Sequence, residues 1–115
     1  MIGIDLVSLD HLEQVMSEPF KHRAFTPDEL AYAEGRPQPL VHLATTFAAK
    51  EAVIKALGLD LRAYPAVEIH RDTGIPSVVW STEVEAPTRD VFVSLAADGD
   101  YAIAIALASL GDDTE

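Results

Sequence analysis

The segment Tyr101–Ala108 alternates strictly between large apolar residues and alanine, in the order YAIAIALA. Side chains on a β-strand point to opposite faces in turn, so the large residues occupy one face and the four alanines the other. An alanine face is flat, and a helix can therefore pack closely against it. Because the alanine face must be buried against another element, the strand pattern indicates a fold in which a helix covers a layer of strands.

A helix that meets this requirement is predicted over residues 40–57. Pro37 and Pro39 precede the segment, and Gly58 follows it, where glycine commonly ends a helix in the left-handed conformation. No other segment of the chain has a helical pattern of this length. We therefore expect this helix to be the central one.

The remaining elements are predicted from apolar spacing and from turn residues. A strand over residues 2–7 is expected to end near Asp5, and a short helix begins after Ser8 and stops at Pro19. A capping box at Thr26 starts a second short helix that Gly35 closes. The predicted strands of two hairpins span residues 67–71, 78–80, 91–95 and 101–108, and the turn of the first is placed at residues 72–74. The expected fold is a single α+β domain over residues 1–115, with a mainly antiparallel sheet against the long helix.

The composition excludes several classes of function. Eight Lys and Arg residues against 19 Asp and Glu residues give a net charge of −11, and there is no cysteine. Such a charge repels phosphate backbones and anionic lipid, so neither nucleic acid nor a membrane is an expected partner. The lack of cysteine excludes disulfides and thiolate metal sites. The chain has no basic leader and no apolar run near the roughly 20 residues that span a bilayer, so a cytoplasmic location is expected.

Glu51 lies within the apolar stripe of the predicted central helix. At about 100° per residue it falls about 40° from Phe47, on the side that carries Leu40 and Ile54. A carboxylate there must be paired, neutralised or placed at a cleft. One interpretation is an ion pair with Lys55, four residues later. Lys50, at the other edge of the stripe, is expected to run its stem along the core.

Asp5 offers a second carboxylate at the end of the first predicted strand. Alone it would be interpreted as a turn or cap residue. Together, Asp5, Glu51 and the lysines beside Glu51 suit a hard divalent cation and the oxygens of a phosphate ester. The reason is that Mg²⁺ is usually held by one or two carboxylates, water and substrate phosphates. The set favours phosphoryl-type transfer.

The two segments that carry these carboxylates resemble a known enzyme family. Gly3-Ile4-Asp5 and residues 47–58, FAAKEAVIKALG, are similar to the paired signature of the 4′-phosphopantetheinyl transferases, and in particular of the small holo-[acyl-carrier-protein] synthase branch. Further segments match that branch in order: residues 25–30 (FTPDEL), residues 67–69 (VEI), the turn with Gly74 and Pro76, and residues 93–95 (VSL) followed by residues 101–104 (YAIA). The resemblance covers nearly the whole chain.

The resemblance implies an enzyme that moves the 4′-phosphopantetheine arm of coenzyme A (CoA) onto a serine of apo acyl carrier protein and releases adenosine 3′,5′-bisphosphate. It implies that Asp5 and Glu51 bind Mg²⁺, that Lys55 stabilises pyrophosphate charge and that Lys50 helps to place the phosphates. Glu51, directly or through a metal-bound water, is the candidate base for the serine. The family also implies a homotrimer with the CoA site between adjacent protomers, for which the flat alanine face would be suitable.

The carrier protein is acidic, as this chain is, so only local charge can bring the two together. Lys21-His22-Arg23 is the one compact basic cluster in the sequence, and the resemblance implies that this region contacts the carrier protein. The alternative is a solvated loop without a binding role. Whether the carrier protein belongs to a fatty-acid or a polyketide system stays open.

The sequence departs from the family pattern at several positions. Thr46 stands where the family often has an arginine that supports nucleotide binding, and Ala96-Ala97 stand where it typically has Ser-His. The segments 59–66 and 81–90 are also short. Arg62, His70 and Arg71 are possible substitutes for the missing contacts. Besides an active transferase, the departures leave open a non-catalytic relative that binds carrier protein or CoA, and a structural trimer or interaction module.

Overall fold

The computed structural model describes residues 1–72, 74–81 and 89–110, with the side chains of residues 61 and 62 excepted. In chain order the elements are β1 (Ile2–Ser8), α1 (Leu9–Val15), α2 (Glu18–Ala24), α3 (Pro27–Glu34), α4 (Pro39–Leu57), a 3₁₀ helix (Leu61–Ala66), β2 (Val67–His70), β3 (Ser77–Trp80), β4 (Val91–Asp98) and β5 (Tyr101–Ala108). Strands β1, β5 and β4 form one sheet in that order, and β2 and β3 form a second. Every described strand pair is antiparallel, which confirms the predicted α+β class.

Helix α4 packs across the alanine face of β5, as the alternation predicts. Ala102, Ala104 and Ala106 are completely buried, whereas Ile105 and Leu107 on the other face are about half exposed. The expectation that the alanine face would suit a neighbouring protomer is therefore wrong, because α4 of the same chain covers it. The face that stays uncovered is the one with the large residues.

Gly3 lets the backbone of β1 approach α4 very closely. A Cβ atom at Gly3 would lie 1.9 Å from the carbonyl oxygen of Ala52 and 2.8 Å from the amide nitrogen of Ala56. No side chain fits there, since both obstacles are helix backbone. Residues two apart on a strand share a face, so Asp5 and Val7 also point toward α4. Gly3 thus sets how near Asp5 lies to the central helix.

One predicted boundary, the end of the first strand, is wrong. Strand β1 does not end near Asp5 but continues to Ser8, because Leu6 and Val7 still pair with Ile103 and Ala102 of β5. Asp5 is therefore a mid-strand residue. Ser8 then caps α1 as predicted, since its hydroxyl oxygen accepts a hydrogen bond from the His11 amide at 3.3 Å.

Helix α2 is the α-helix that sequence reasoning missed. Pro19 does not stop a helix; it lies in the first turn of α2, where a proline costs no hydrogen bond. Ser17 caps this turn by accepting a hydrogen bond from the Phe20 amide at 3.2 Å. Residues 21–23 consequently lie in the last turn of a helix, and not in a loop.

The other boundaries agree closely with expectation. The capping box of Thr26 and Glu29 starts α3, and Gly58 ends α4 in the left-handed conformation with a φ of 66°. Strand β4 is longer than predicted and includes Ala96 and Ala97. Residue 73 of the turn predicted at residues 72–74, and residues 82–88 of the short segment 81–90, lie outside the described residues.

Replacing Gly3 by alanine should destabilise the fold strongly. The added methyl group meets helix backbone, so α4 and β1 must separate, and we expect a loss of about 3 kcal/mol or more, at the upper end for overpacking. Urea unfolding followed by circular dichroism measures it. Gly35→Ala is the matched control, because a Cβ atom there meets only the carbonyl oxygens of Ala31, at 3.4 Å, and Tyr32, at 3.9 Å. An equal, small effect of both substitutions would contradict the proposed reason for Gly3.

Candidate active site

The structure brings together three of the predicted site residues, from β1 and α4. The Lys55 ammonium donates a hydrogen bond to Asp5 Oδ1 at 2.8 Å and one to the Ile4 carbonyl at 3.2 Å. Glu51 lies one helical turn before Lys55 and is half-buried. The hydrogen bond to Asp5 and the charges of both carboxylates raise the pKa of Lys55, although burial opposes this shift. Lys55 is therefore a fixed positive charge at the site.

Asp5 and Glu51 line one cavity of about 510 Å³. Its other walls are mostly apolar and come from β1, from α1 and from two phenylalanines: Leu6, Val7, Ser8, His11, Leu12, Val15, Phe20 and Phe47. Phe20 extends from α2 and packs against Phe47 of α4, with ring centroids 5.7 Å apart. The cavity therefore has its negative groups on one wall, next to a mainly apolar space.

The chemistry of these groups fits a hard cation. Each carboxylate uses one oxygen in a hydrogen bond seen in the structure and has a second oxygen to offer. Carboxylate oxygens are the protein ligands that Mg²⁺ prefers, with water and substrate oxygens completing its shell. Asp5 and Glu51 are thus suited to hold Mg²⁺ at the mouth of the cavity.

Tyr64 is a site residue that sequence reasoning missed. Its hydroxyl, in the 3₁₀ helix, donates a hydrogen bond to Glu51 Oε1. Burial, and then the hydrogen bond and charge of Glu51, raise the pKa of Tyr64 far above its usual range, so the phenol stays protonated. No local pattern in the sequence marks this residue, because it meets Glu51 only through the packing of the 3₁₀ helix against α4. Glu51 and Lys55 do not form the ion pair that their spacing suggested. Glu51 is instead hydrogen-bonded to Tyr64, and Lys55 forms its ion pair with Asp5.

Lys50 is not brought to this cavity. Its ammonium is fully buried and lies 2.7 Å from Glu29 Oε1, and Glu29 is buried as well. Glu29 also accepts hydrogen bonds from the amides of Ile69, at 2.8 Å, and Thr26, at 2.9 Å. Burial lowers the pKa of Lys50 and raises that of Glu29, and their attraction opposes both shifts. In this arrangement Lys50 joins α4 to α3 and β2, and its predicted contact with phosphates stays a prediction.

A second group of cations surrounds Tyr32. The guanidinium of Arg36 lies 3.5 Å from the centroid of the Tyr32 ring and that of Arg71 lies 5.1 Å from it. Arg71 Nη1 donates hydrogen bonds to the hydroxyl oxygens of Thr45, at 2.8 Å, and Thr46, at 3.4 Å. Burial is the main cause that lowers the pKa of Arg71, and the charge of Arg36 adds to it. Within residues 1–72, 74–81 and 89–110, no carboxylate forms an ion pair with either arginine.

Arg71 is thus the candidate substitute that the structure brings to Thr46. His70 instead contacts Glu68, and the side chain of residue 62 is outside the described part. Tyr32 and Arg71 separate two adjoining cavities of about 360 and 410 Å³, and the turn with Gly74 and Pro76 lines the larger of them. Ala96 and Ala97 lie elsewhere, beside another cavity on the uncovered face of β4 and β5.

The basic cluster predicted as a docking site lies in the last turn of α2. Lys21 and His22 both approach the Glu18 carboxylate, at 3.7 and 3.6 Å, and Arg23 is exposed. The same helix carries Phe20, which lines the cavity beside Glu51. The cluster is therefore next to the candidate site. Among the described residues, no helix is both long enough and apolar enough to cross a membrane.

Comparison with known proteins shows the family of this chain. Residues 1–106 match the model of the 4′-phosphopantetheinyl transferase superfamily. The chain is 36% identical to a holo-[acyl-carrier-protein] synthase of Geotalea daltonii, an alignment that covers 90% of this chain and 92% of the relative.

Solved structures give the same result. The crystal structure of Helicobacter pylori holo-[acyl-carrier-protein] synthase in complex with coenzyme A is 25% identical and covers 95% of this chain and 100% of that one, with a TM-score of 0.79. The synthase from Bacillus anthracis in complex with CoA (3′,5′-ADP) is 29% identical and covers 93% of both chains, with a TM-score of 0.77. These matches support the catalytic interpretation over a non-catalytic one. The chain is an enzyme that belongs to the 4′-phosphopantetheinyl transferase superfamily, in its holo-[acyl-carrier-protein] synthase branch.

Proposed function

We propose that this chain transfers the 4′-phosphopantetheine arm of CoA to a serine hydroxyl of apo acyl carrier protein, using Mg²⁺ held by Asp5 and Glu51. The observation that carries the proposal is that Asp5 and Glu51 line one cavity and that the Lys55 ammonium is hydrogen-bonded to Asp5. The names of the relatives support the reaction, and the complexes of two structural neighbours support CoA as the substrate. The serine oxygen forms a bond to the phosphorus that bears the arm, and the bond from that phosphorus to the bridging oxygen breaks. Adenosine 3′,5′-bisphosphate leaves.

The residues of this chain divide the work between them. A bound Mg²⁺ would supply positive charge for the pyrophosphate of CoA. Lys55 adds an ammonium group that stays charged. By rotating its flexible side chain, Lys55 can leave Asp5 and donate a hydrogen bond to a phosphate oxygen of CoA instead. Glu51 is the group placed to accept the proton of the attacking serine. The apolar walls of the cavity limit the water that competes with the serine.

Intact-mass analysis of an apo acyl carrier protein tests this function. With the enzyme, CoA and Mg²⁺, the carrier should gain the mass of one phosphopantetheine arm. Asp5→Asn and Glu51→Gln should slow the gain at least about 100-fold, since each removes a metal ligand and the second also removes the base. Unfolding curves of both variants serve as the control for folding. No gain with several different carrier proteins would favour a non-catalytic relative.

The nucleotide end of CoA is proposed to bind at Arg36, Tyr32 and Arg71. Two guanidinium groups without an ion-pair partner among the described carboxylates suit a phosphate, because arginine binds phosphate oxygens through paired N–H groups. The 410 Å³ cavity beside Arg71 offers space for the attached nucleoside. Arg71, directly after β2, reaches Thr46, so it supplies a cation where the family pattern has one on α4.

Arg71→Gln should raise the KM for CoA about 10- to 100-fold, the equivalent of one charge-assisted hydrogen bond or two. The variant should discriminate poorly between CoA and 3′-dephospho-CoA, whereas the parent enzyme should prefer CoA. Adding Thr46→Arg to the variant should restore part of the loss. Arg89→Gln, a substitution of the same type at a half-buried residue that lines neither of these cavities, is the control. Equal losses with CoA and with 3′-dephospho-CoA would show that Arg71 does not bind the 3′-phosphate.

The carrier protein is proposed to dock at the end of α2, near Lys21 and Arg23. This helix places both basic residues beside the cavity that Phe20 lines, which is where the serine must enter. Reversing both charges, Lys21→Glu with Arg23→Glu, should raise the KM for the carrier protein roughly 10-fold or more, because the partner is acidic. Steady-state kinetics should show an unchanged KM for CoA. Unchanged kinetics for the carrier protein would refute this docking surface.

A homotrimer is also proposed, on the basis of the uncovered face of the three-stranded sheet. Its side chains are apolar and about half exposed, and they form a contiguous patch on β1, β4 and β5: Ile2, Ile4, Leu6, Phe92, Ile103, Ile105 and Leu107. Patches of this kind mark protein interfaces.

A cytoplasmic location stays a prediction of the sequence.

A further inference from the structure

We propose that Tyr64 is a positioning residue that holds the Glu51 carboxylate in place for the metal ion. The inference rests on the proposed function, in which Glu51 binds Mg²⁺. Its basis is the hydrogen bond that the Tyr64 hydroxyl donates to Glu51 Oε1, across 13 residues of sequence. A donor on one oxygen fixes the plane of a carboxylate and leaves the other oxygen for a ligand.

The phenol itself is firmly held. Its ring stacks on that of Phe47, with centroids 5.5 Å apart and planes inclined by 23°. Phe47 in turn packs against Phe20 and Phe25, at 5.7 and 6.1 Å. Pro65 follows directly within the same 3₁₀ helix and restricts the backbone beside the ring. The Tyr64 hydroxyl is therefore presented to Glu51 from a packed aromatic group.

Without this donor, Glu51 has another partner within reach. Lys55 lies four residues later on α4, the spacing at which glutamate and lysine pair on a helix surface. If Glu51 formed an ion pair with Lys55, that lysine would lose its contact with Asp5. The Glu51 carboxylate would also rotate toward Lys55, along the surface of the helix. Tyr64 keeps Glu51 and Lys55 apart, and each carboxylate then faces the cavity with its own partner.

Titration calorimetry of Mg²⁺ without CoA, on the parent enzyme and on Tyr64→Phe, tests the inference. The ring and its stacking stay, so thermal unfolding should change little, but the dissociation constant for Mg²⁺ should rise about 10-fold, as for other groups that orient metal ligands. In kinetics, the Mg²⁺ concentration for half-maximal rate should rise by the same factor while the KM for the carrier protein stays constant. Tyr101→Phe, an exposed hydroxyl on β5, is the control.

Repeating the Tyr64→Phe substitution in a Lys55→Met variant tests whether competition from Lys55 causes the loss of Mg²⁺ affinity. In Lys55→Met, Glu51 has no ammonium to turn to, so adding Tyr64→Phe should cost less than about threefold in Mg²⁺ affinity, which is the non-additivity expected of coupled residues. Unchanged Mg²⁺ affinity of Tyr64→Phe in the parent background would overturn the positioning role and leave the metal site standing. A parent enzyme that binds no Mg²⁺ would overturn the metal site and, with it, the role of Tyr64.

Discussion

The close approach of β1 to α4 is the constraint on which the rest of the site depends. Strand β1 carries Asp5 and helix α4 carries Glu51 and Lys55, so their distance is set by how near two backbones can come. Gly3 removes the side chain that would separate them, and the alanine faces of α4 and β5 let the helix sit low on the sheet. The 2.8 Å contact between Asp5 and Lys55 is a result of this packing.

Environment gives different tasks to two lysines on the same helix. Lys50 points into the protein and is neutralised by Glu29, whose other hydrogen bonds tie down α3 and β2. A buried pair of this kind is costly to break, because removing one partner leaves an isolated charge. Lys55 is half exposed beside Asp5 and has a flexible stem. One lysine is suited to hold helices together and the other to meet a substrate.

Sequence patterns predict the parts of this fold that depend on local spacing. The alternation in β5, the capping box at Thr26 and the glycine after α4 each have a local cause, and each element is where it was expected. Glu51 was also recognisable, since a carboxylate on an apolar stripe needs an explanation. Helix α2 was missed because Pro19 was interpreted as the end of a helix. A proline does break the interior of a helix, but it is favourable in the first turn, where Pro19 lies.

The partners of the site residues could not be predicted in the same way. Tyr64, Glu29 and Arg71 reach their contacts across 13, 21 and 25 residues of sequence, through the packing of separate elements on α4. The spacing of residues along the sequence does not predict such long-range contacts. The family motif places Lys50 and Glu51 side by side in the chain, but adjacent residues on a helix point about 100° apart. Only the folded structure shows that one of them faces Glu29 and the other the cavity.

The charge of the protein makes the placement of its few cations important. A net charge of −11 repels both CoA and an acidic carrier protein, yet this long-range effect is screened within about 8 to 10 Å at physiological salt. At shorter range only the nearest groups matter. Lys55 contacts Asp5, Arg36 and Arg71 surround Tyr32, and Lys21 and Arg23 lie at the end of α2. An acidic chain can therefore bind anionic partners, because its cations are concentrated where their phosphates and carboxylates would lie.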